Sequence, residues 1–268
     1  MKFEFYVELF LIWSIILMGL ICLIFLVITF IKRYLRIKKN GRKIEIQSRI
    51  EAILFPMLHD VITVDVSVQL FKELSPDLLI NKLTIRSIVS LHQSYSGESK
   101  RKLEEFYRYS GLMDYSIQKL NSKRREFTIE GIRDLSILNI EESAASLNNL
   151  LCHKNLLVRK EALIGLIALQ GIEALMGENQ VNDTLDDWTQ GNIIYNLMNR
   201  PNNDFNAIED LLMSKNESLV LLGLRLVEIF QLNMKAAIRN LDFESFTNEK
   251  IKIKANNIVL RLISTENI

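Results

Sequence analysis

The chain has 268 residues, 49% hydrophobic and 24% charged, enough to bury one sizeable or two small cores, and this composition excludes a wholly disordered protein. Ten glycines and three prolines are too few for a chain of short strands joined by tight turns, so the composition favours helices. The net charge of +1 divides into −1 before Lys32, +7 from Lys32 to Lys43 and −5 over residues 44–268; a mildly acidic body argues against nucleic acid as a partner.

The first element is an apolar run. Leu9 to Ile31 is 23 residues without a charge, and a helix rising about 1.5 Å per residue crosses about 30 Å of hydrocarbon over that length. A secretory signal has its basic region before a shorter apolar stretch and a small-residue cleavage site; here the basic block follows and no such site is present. A soluble core helix is rarely apolar on every face for six turns. Residues 9–31 are therefore expected to span a membrane, with 1–8 as a short stub outside it. Lys32, Arg33, Arg36, Lys38, Lys39, Arg42 and Lys43 form a basic juxtamembrane segment over 32–43. Positive charge beside a span stays cytoplasmic, so the N-terminus is expected outside and the bulk of the chain inside. The same block offers a surface to anionic lipid headgroups. Cys22 and Cys152 provide no disulfide framework, as in a reducing compartment.

Asn40-Gly41 is a turn signal and is read as the end of the basic extension. Helical spacing then follows over about 44–60, 77–95, 98–110, 124–138, 141–152, 155–170, 187–199, 205–213, 217–231, 234–241 and 248–263. Val61 to Val68 alternates like a strand but has no partner strand, and is read as a linker or a helix of poor propensity. The expected division is a helical part over 44–119 and a repeat region over 120–268.

Ile132, Leu163, Ile194 and Leu224 fall 31, 31 and 30 residues apart, and Leu135, Leu166, Leu197 and Val227 follow three positions later. The column before holds Gly131, Ala162, Ile193 and Gly223, small at three of four places, as close helix crossing requires. Leu150 to Leu169 reads as a first helix ending in two leucines, a polar Lys-Asn turn and a Val-Arg-Lys-Glu-Ala-Leu second helix, and Leu211 to Val227 repeats the leucine pair, the turn and the apolar second helix. This pattern resembles the HEAT-like helical repeats, in their compact bacterial form, over about residues 120–265. The family's turn aspartate is Asn155 or Asn216 here, and its arginine is present only as Arg159. The resemblance implies an all-α fold, a transmembrane helix followed by an α-solenoid of HEAT-like hairpins, and a scaffolding role.

No residue announces catalysis. His59, His92 and His153 have no second histidine or cysteine at a helical metal-ligand spacing, and Cys152-His153 fits a helix-end turn. His59-Asp60 are sequence neighbours and do not face one another. Phosphate-binding glycine loops, nucleophile elbows and dinucleotide fingerprints are all missing from the sequence. Glu104 to Tyr109 gathers aromatics and charge and is read as an amphipathic core helix ahead of an interface. Asp183 to Trp188 is read as an acidic loop in which Thr184 or Asp186 caps the next helix.

The expected function is a non-enzymatic, single-pass membrane scaffold, without cofactor, metal or catalytic residues. Its C-terminal domain lies on the cytoplasmic face, of a bacterial inner membrane, and binds a membrane-associated protein. An accessory subunit of a membrane enzyme or of an envelope-polymer synthesis complex is one concrete version. The alternative is a small-molecule-handling enzyme, because some compact HEAT-like proteins are lyases that attach bilins. Two sequons, Asn182-Asp-Thr184 and Asn216-Glu-Ser218, test the orientation. In a glycosylating host membrane neither should be modified, read as no endoglycosidase-sensitive mobility shift.

Overall fold

The computed structural model describes residues 2–75, 77–175, 183–200, 204–234, 237, 238, 241 and 246–264; its elements are helices, and no strand occurs among the described residues. The chain divides into two compact units, Met1–Ser87 and Ile88–Ile268.

In the first unit α1 (Lys2–Leu58) runs for 57 residues and is long and apolar enough to cross a membrane. The Asn40-Gly41 turn expected from the sequence is not formed: both residues lie inside α1. One glycine costs a helix about 1 kcal/mol, and propagation from the turns on both sides outweighs it. The apolar run is unburied, whereas Ile50, Leu54 and Met57, at i, i+4 and i+7, are buried. Pro56 lacks an N–H and sits in the last turn, and Asp60 in the left-handed region (φ 60°) closes the end, where the Val61 N–H donates to the Pro56 carbonyl at 2.9 Å.

Val61 to Val68 forms no strand. Thr63 accepts from the Val66 N–H at 3.4 Å and caps α2 (Val64–Glu73), which packs its buried Val68 and Phe71 face on α1. Capping and burial thus override the β-branched preference. The side chain of Asp77 accepts from the N–H groups of Leu79 and Ile80 at 2.9 and 2.8 Å and starts α3 (Leu78–Ser94).

The second unit continues with α4 (Glu98–Tyr109), α5 (Leu112–Leu120), α6 (Arg125–Ile137), α7 (Ala144–Asn149), α8 (Leu156–Gln170), α9 (Asp187–Met198), α10 (Ile208–Leu212), α11 (Glu217–Phe230) and α12 (Glu249–Ser264). The Glu104 to Tyr109 segment is a core helix, with Leu103, Phe106 and Tyr107 buried. Helix α5 was not expected from apolar spacing. Its buried face includes Ser116 and Lys119, which both donate to Asp134 of α6, at 3.2 and 2.8 Å, so polar pairing replaces the apolar pattern. Half of the segment 234–241 lies outside the described residues.

Short helices pair as α5 on α6, α7 on α8 and α10 on α11, and the longer second helices pack on one another, α6 on α8, α8 on α9 and α11 on α12. All eight columned residues from Ile132 to Val227 are buried. The structure adds a fifth copy: Ala255 and Ile258 of α12 continue the two columns 31 residues on, at 0% and 4% exposure. Glycine sets the closeness of these contacts. A Cβ at Gly131 would lie 2.8 Å from the Ser116 carbonyl oxygen and 3.0 Å from Lys119 Cβ, and one at Gly165 would lie 3.0 Å from both Ile132 and Leu147.

At Gly191 in α9 a Cβ would meet nothing within 4 Å. Gly131→Ala should destabilise the protein by about 1–3 kcal/mol through forced backbone separation, and Gly191→Ala should stabilise it by about 0.5–1 kcal/mol. Denaturant unfolding of the two full-length variants in one detergent checks the opposite signs.

Candidate functional site

The second helices begin on a common edge, and polar groups join that edge from repeat to repeat. Asn155, Asp186, Asn216 and Asn248, spaced by 31, 30 and 32 residues, cap α8, α9, α11 and α12. Each supplies a side-chain oxygen to N–H groups left free at a helix start. Arg159 clamps Asp183 through two nitrogens at 2.6 and 2.8 Å and also donates to the His153 carbonyl at 2.8 Å. Lys160, nearly buried, reaches Asp186 at 2.6 Å. Asn216 donates to the Asp183 carbonyl at 3.2 Å, and the Leu185 N–H donates to Ser218 Oγ at 2.9 Å. Arg225 bonds both Gln190 and Asp187 at 2.8 Å, and Lys254 reaches the second oxygen of Asp187 at 2.6 Å. The acidic loop is thereby an internal counter-charge.

The electrostatics follow the pairing. The hydrogen bond from Lys160, with that from the Thr189 N–H, holds the Asp186 carboxyl down at about 2. Hydrogen bonding from Arg159 lowers Asp183, and hydrogen bonding from Lys254 and Arg225 lowers Asp187. Asp134 behaves oppositely: burial pushes its carboxyl up, against the downward pull of Lys119. Burial also raises the Tyr107 phenol. These groups are packed into helix contacts, and the Lys119 ammonium lies 4.7 Å over the Tyr115 ring.

Two of the three histidines make structural contacts. His92 is buried with Nε2 2.9 Å from Glu104 Oε1. His153 Nδ1 accepts from the Asn155 N–H at 3.0 Å in the turn after Leu150–Cys152. His59 is exposed at the end of α1 beside Asp60. Among the described residues no three His, Cys, Asp or Glu side chains are grouped to hold a metal ion.

One surface stands apart. On α9, Trp188, Gly191, Tyr195 and Met198 fall at i, i+3, i+7 and i+10, and the three large side chains are 54%, 65% and 61% exposed. Asp187 is the only charged residue of α9. In the repeat register Tyr195 aligns with Arg133, Ile164 and Arg225. Arg133 is tied to Glu161 and Arg225 to Asp187. At the column's two inner places the side chains are Ile164 and Tyr195, so an apolar window lies between two ion-paired edges. Leu157, at the place in α8 equivalent to Trp188, is also exposed. Sequence reading accounted for Asp186 and missed the exposure of Trp188; the 188, 191, 195 and 198 spacing, free of charge, carried the signal.

The chain matches no protein-family model, no curated protein and no solved structure.

Because the Asp186 carboxyl titrates lower in the folded protein than its ordinary value near 4, it adds stability above about pH 4 that disappears as the pH falls towards 2. Asp186→Asn keeps a capping oxygen and removes the charge; Asp186→Ala removes both, at a cost of about 1–2 kcal/mol. Unfolding measured at pH 7 and pH 3 should rank Asp186→Ala below Asp186→Asn at pH 7, and both variants should lose less stability on acidification than the unaltered protein.

Proposed function

We propose that this protein is a non-enzymatic docking module held at a membrane, with α1 crossing the bilayer, its N-terminus outside and the body of the chain in the cytoplasm. Its repeated hairpins form a HEAT-like α-solenoid, and the outward face of α9 receives a protein partner resident in, or bound to, the same membrane. The observation that carries this reading is the Trp188, Tyr195 and Met198 stripe. Trp, Tyr and Met are the residue types enriched in interfaces, and a desolvated aromatic centre inside a polar rim is the usual arrangement of binding hot spots. A charge-free aromatic face on a helix whose opposite face is fully buried has no role in stabilising the monomer, and exposure carries a solubility cost. The 31-residue recurrence of caps and buried columns supports the solenoid, since each hairpin buries its apolar face only against a neighbour. The unburied apolar run of α1 and the basic block after it support the anchor and its direction. Tethering raises the effective concentration for a partner in the same membrane, so a modest docking surface is sufficient.

Crosslinking of the full-length protein in its native membranes should capture a discrete partner. Trp188→Ala should weaken that capture by about tenfold or more, and Trp188→Ala with Tyr195→Ala should abolish it, with the unfolding midpoint changed little because both side chains are exposed. Capture that persists undiminished in the double variant would rule out this face.

A further inference from the structure

Between the apolar run and the first buried residue of the first unit, α1 is a bare, basic helix. The stretch from Ile31 to Ile50 covers about 28 Å at the helical rise. Its positive charge is compensated at one end only. Away from the apolar run, Arg42 pairs with Asp77 at 3.4 Å, and the first acidic residue, Glu45, pairs with Arg49 at 2.7 Å. Next to the run, Lys32, Arg33, Arg36 and Lys38 are exposed and have no acidic partner among the described residues. Lys32, Arg36 and Lys43 fall at i, i+4 and i+11, and the same face continues into Ile46, Ile50 and Met57, the side on which α1 packs α2. That face is therefore specified along its whole length, cationic by the run and apolar farther on.

With the hydrocarbon edge at Ile31, Lys32 and Arg33 stand about 1.5 and 3 Å beyond it along the axis, within a headgroup layer about 5–7 Å deep, and Arg36, about 7.5 Å out, stands at its outer limit. The Cα–Cβ bonds of a helix tilt towards its N-terminus, here towards the bilayer, so Lys38 also reaches back to that layer. Lys43, about 18 Å out, lies beyond the headgroups by more than a Debye length of about 8 Å. We propose that Lys32, Arg33, Arg36 and Lys38 form a collar that binds the phosphates of anionic lipids. A protein partner is a poorer match, because these charges sit in the headgroup layer or reach back to it, where lipid is the neighbour. The collar binds by charge with little shape, so it selects anionic over zwitterionic headgroups and weakens with salt.

This proposal rests on the membrane anchor and is independent of the α9 docking face. The test uses the full-length protein in nanodiscs of phosphatidylcholine with a fraction of phosphatidylglycerol; both disc faces are open, so the orienting role of the same charges is removed from the measurement. Immobilisation of spin-labelled phosphatidylglycerol is compared with that of spin-labelled phosphatidylcholine. The expected ratio is about threefold or more at low salt, falling towards one at high salt. Lys32→Gln, Arg33→Gln, Arg36→Gln and Lys38→Gln combined should bring it to about one. Arg42→Gln, which removes a charge already paired with Asp77, should leave it unchanged. Equal immobilisation of both lipids by the unaltered protein, or a preference that survives the fourfold substitution, overturns the collar. Failure of the protein to enter the disc overturns the anchor together with the collar.

Discussion

A helix of five to sixteen residues cannot bury its apolar face by itself, and the second unit is organised by that shortfall. Gly165 marks the solution. It lies where α8 is pressed simultaneously against Ile132 of the preceding second helix and Leu147 of its own first helix, so close that a Cβ would force both side chains to give way. Helix α8 is thus a shared wall between two layers, and the columns of buried aliphatic residues recur at close to 31 residues. The stitching of helix starts follows from the same constraint. Packing parallel second helices side by side aligns their free N–H groups on one edge, and the caps and their acidic neighbours neutralise that edge locally.

Ion pairing along the outer column of Arg133, Ile164, Tyr195 and Arg225 differs between its ends and its middle. Arg133 with Glu161, Arg225 and Lys254 with Asp187, and Arg261 with Glu228 tie neighbouring helices together on either side. Pairs this exposed add little stability individually, and they keep the surface between repeats wet and specific in register. Where α8 meets α9 the same column carries Ile164 and Tyr195, and Trp188 and Met198 extend the apolar surface along α9. The departure from the repeat pattern coincides with the residues that a partner would contact. In the first unit, charge works by the opposite principle: Arg42 and Arg49, away from the apolar run, find acidic partners, and Lys32, Arg33, Arg36 and Lys38 beside it have none among the described residues.

Much of this was legible in the residues. Period and polarity located most helices to within about three residues, because amphipathic spacing and Asn or Asp caps are local signals. The errors share a cause. Asn40-Gly41 looked like a turn because two residues were weighed without the long helix on both sides that carries them. Helix α5 was passed over because its buried face is made with Ser116 and Lys119, whose burial makes sense only with Asp134 opposite. The fifth copy was missed because Lys254, at the small-residue place, is directed to Asp187, 67 residues earlier.

The sequence alone determined the all-helical class, the apolar run with its asymmetric charge, and the near-31-residue recurrence, since these depend on neighbours a few residues apart. It also narrowed the cap of α9 to Thr184 or Asp186, and the structure has Asp186 there. Tertiary structure decided which charges are internal counter-ions and which faces remain open. Asp183, Asp186 and Asp187 looked like an acidic surface loop and are bound by Arg159, Lys160, Arg225 and Lys254; Trp188 looked like part of a helix start and is an exposed aromatic. Exposure is a property of what packs against a residue, and the partners that cover or leave open these positions come from helices 24 to 67 residues away in the chain.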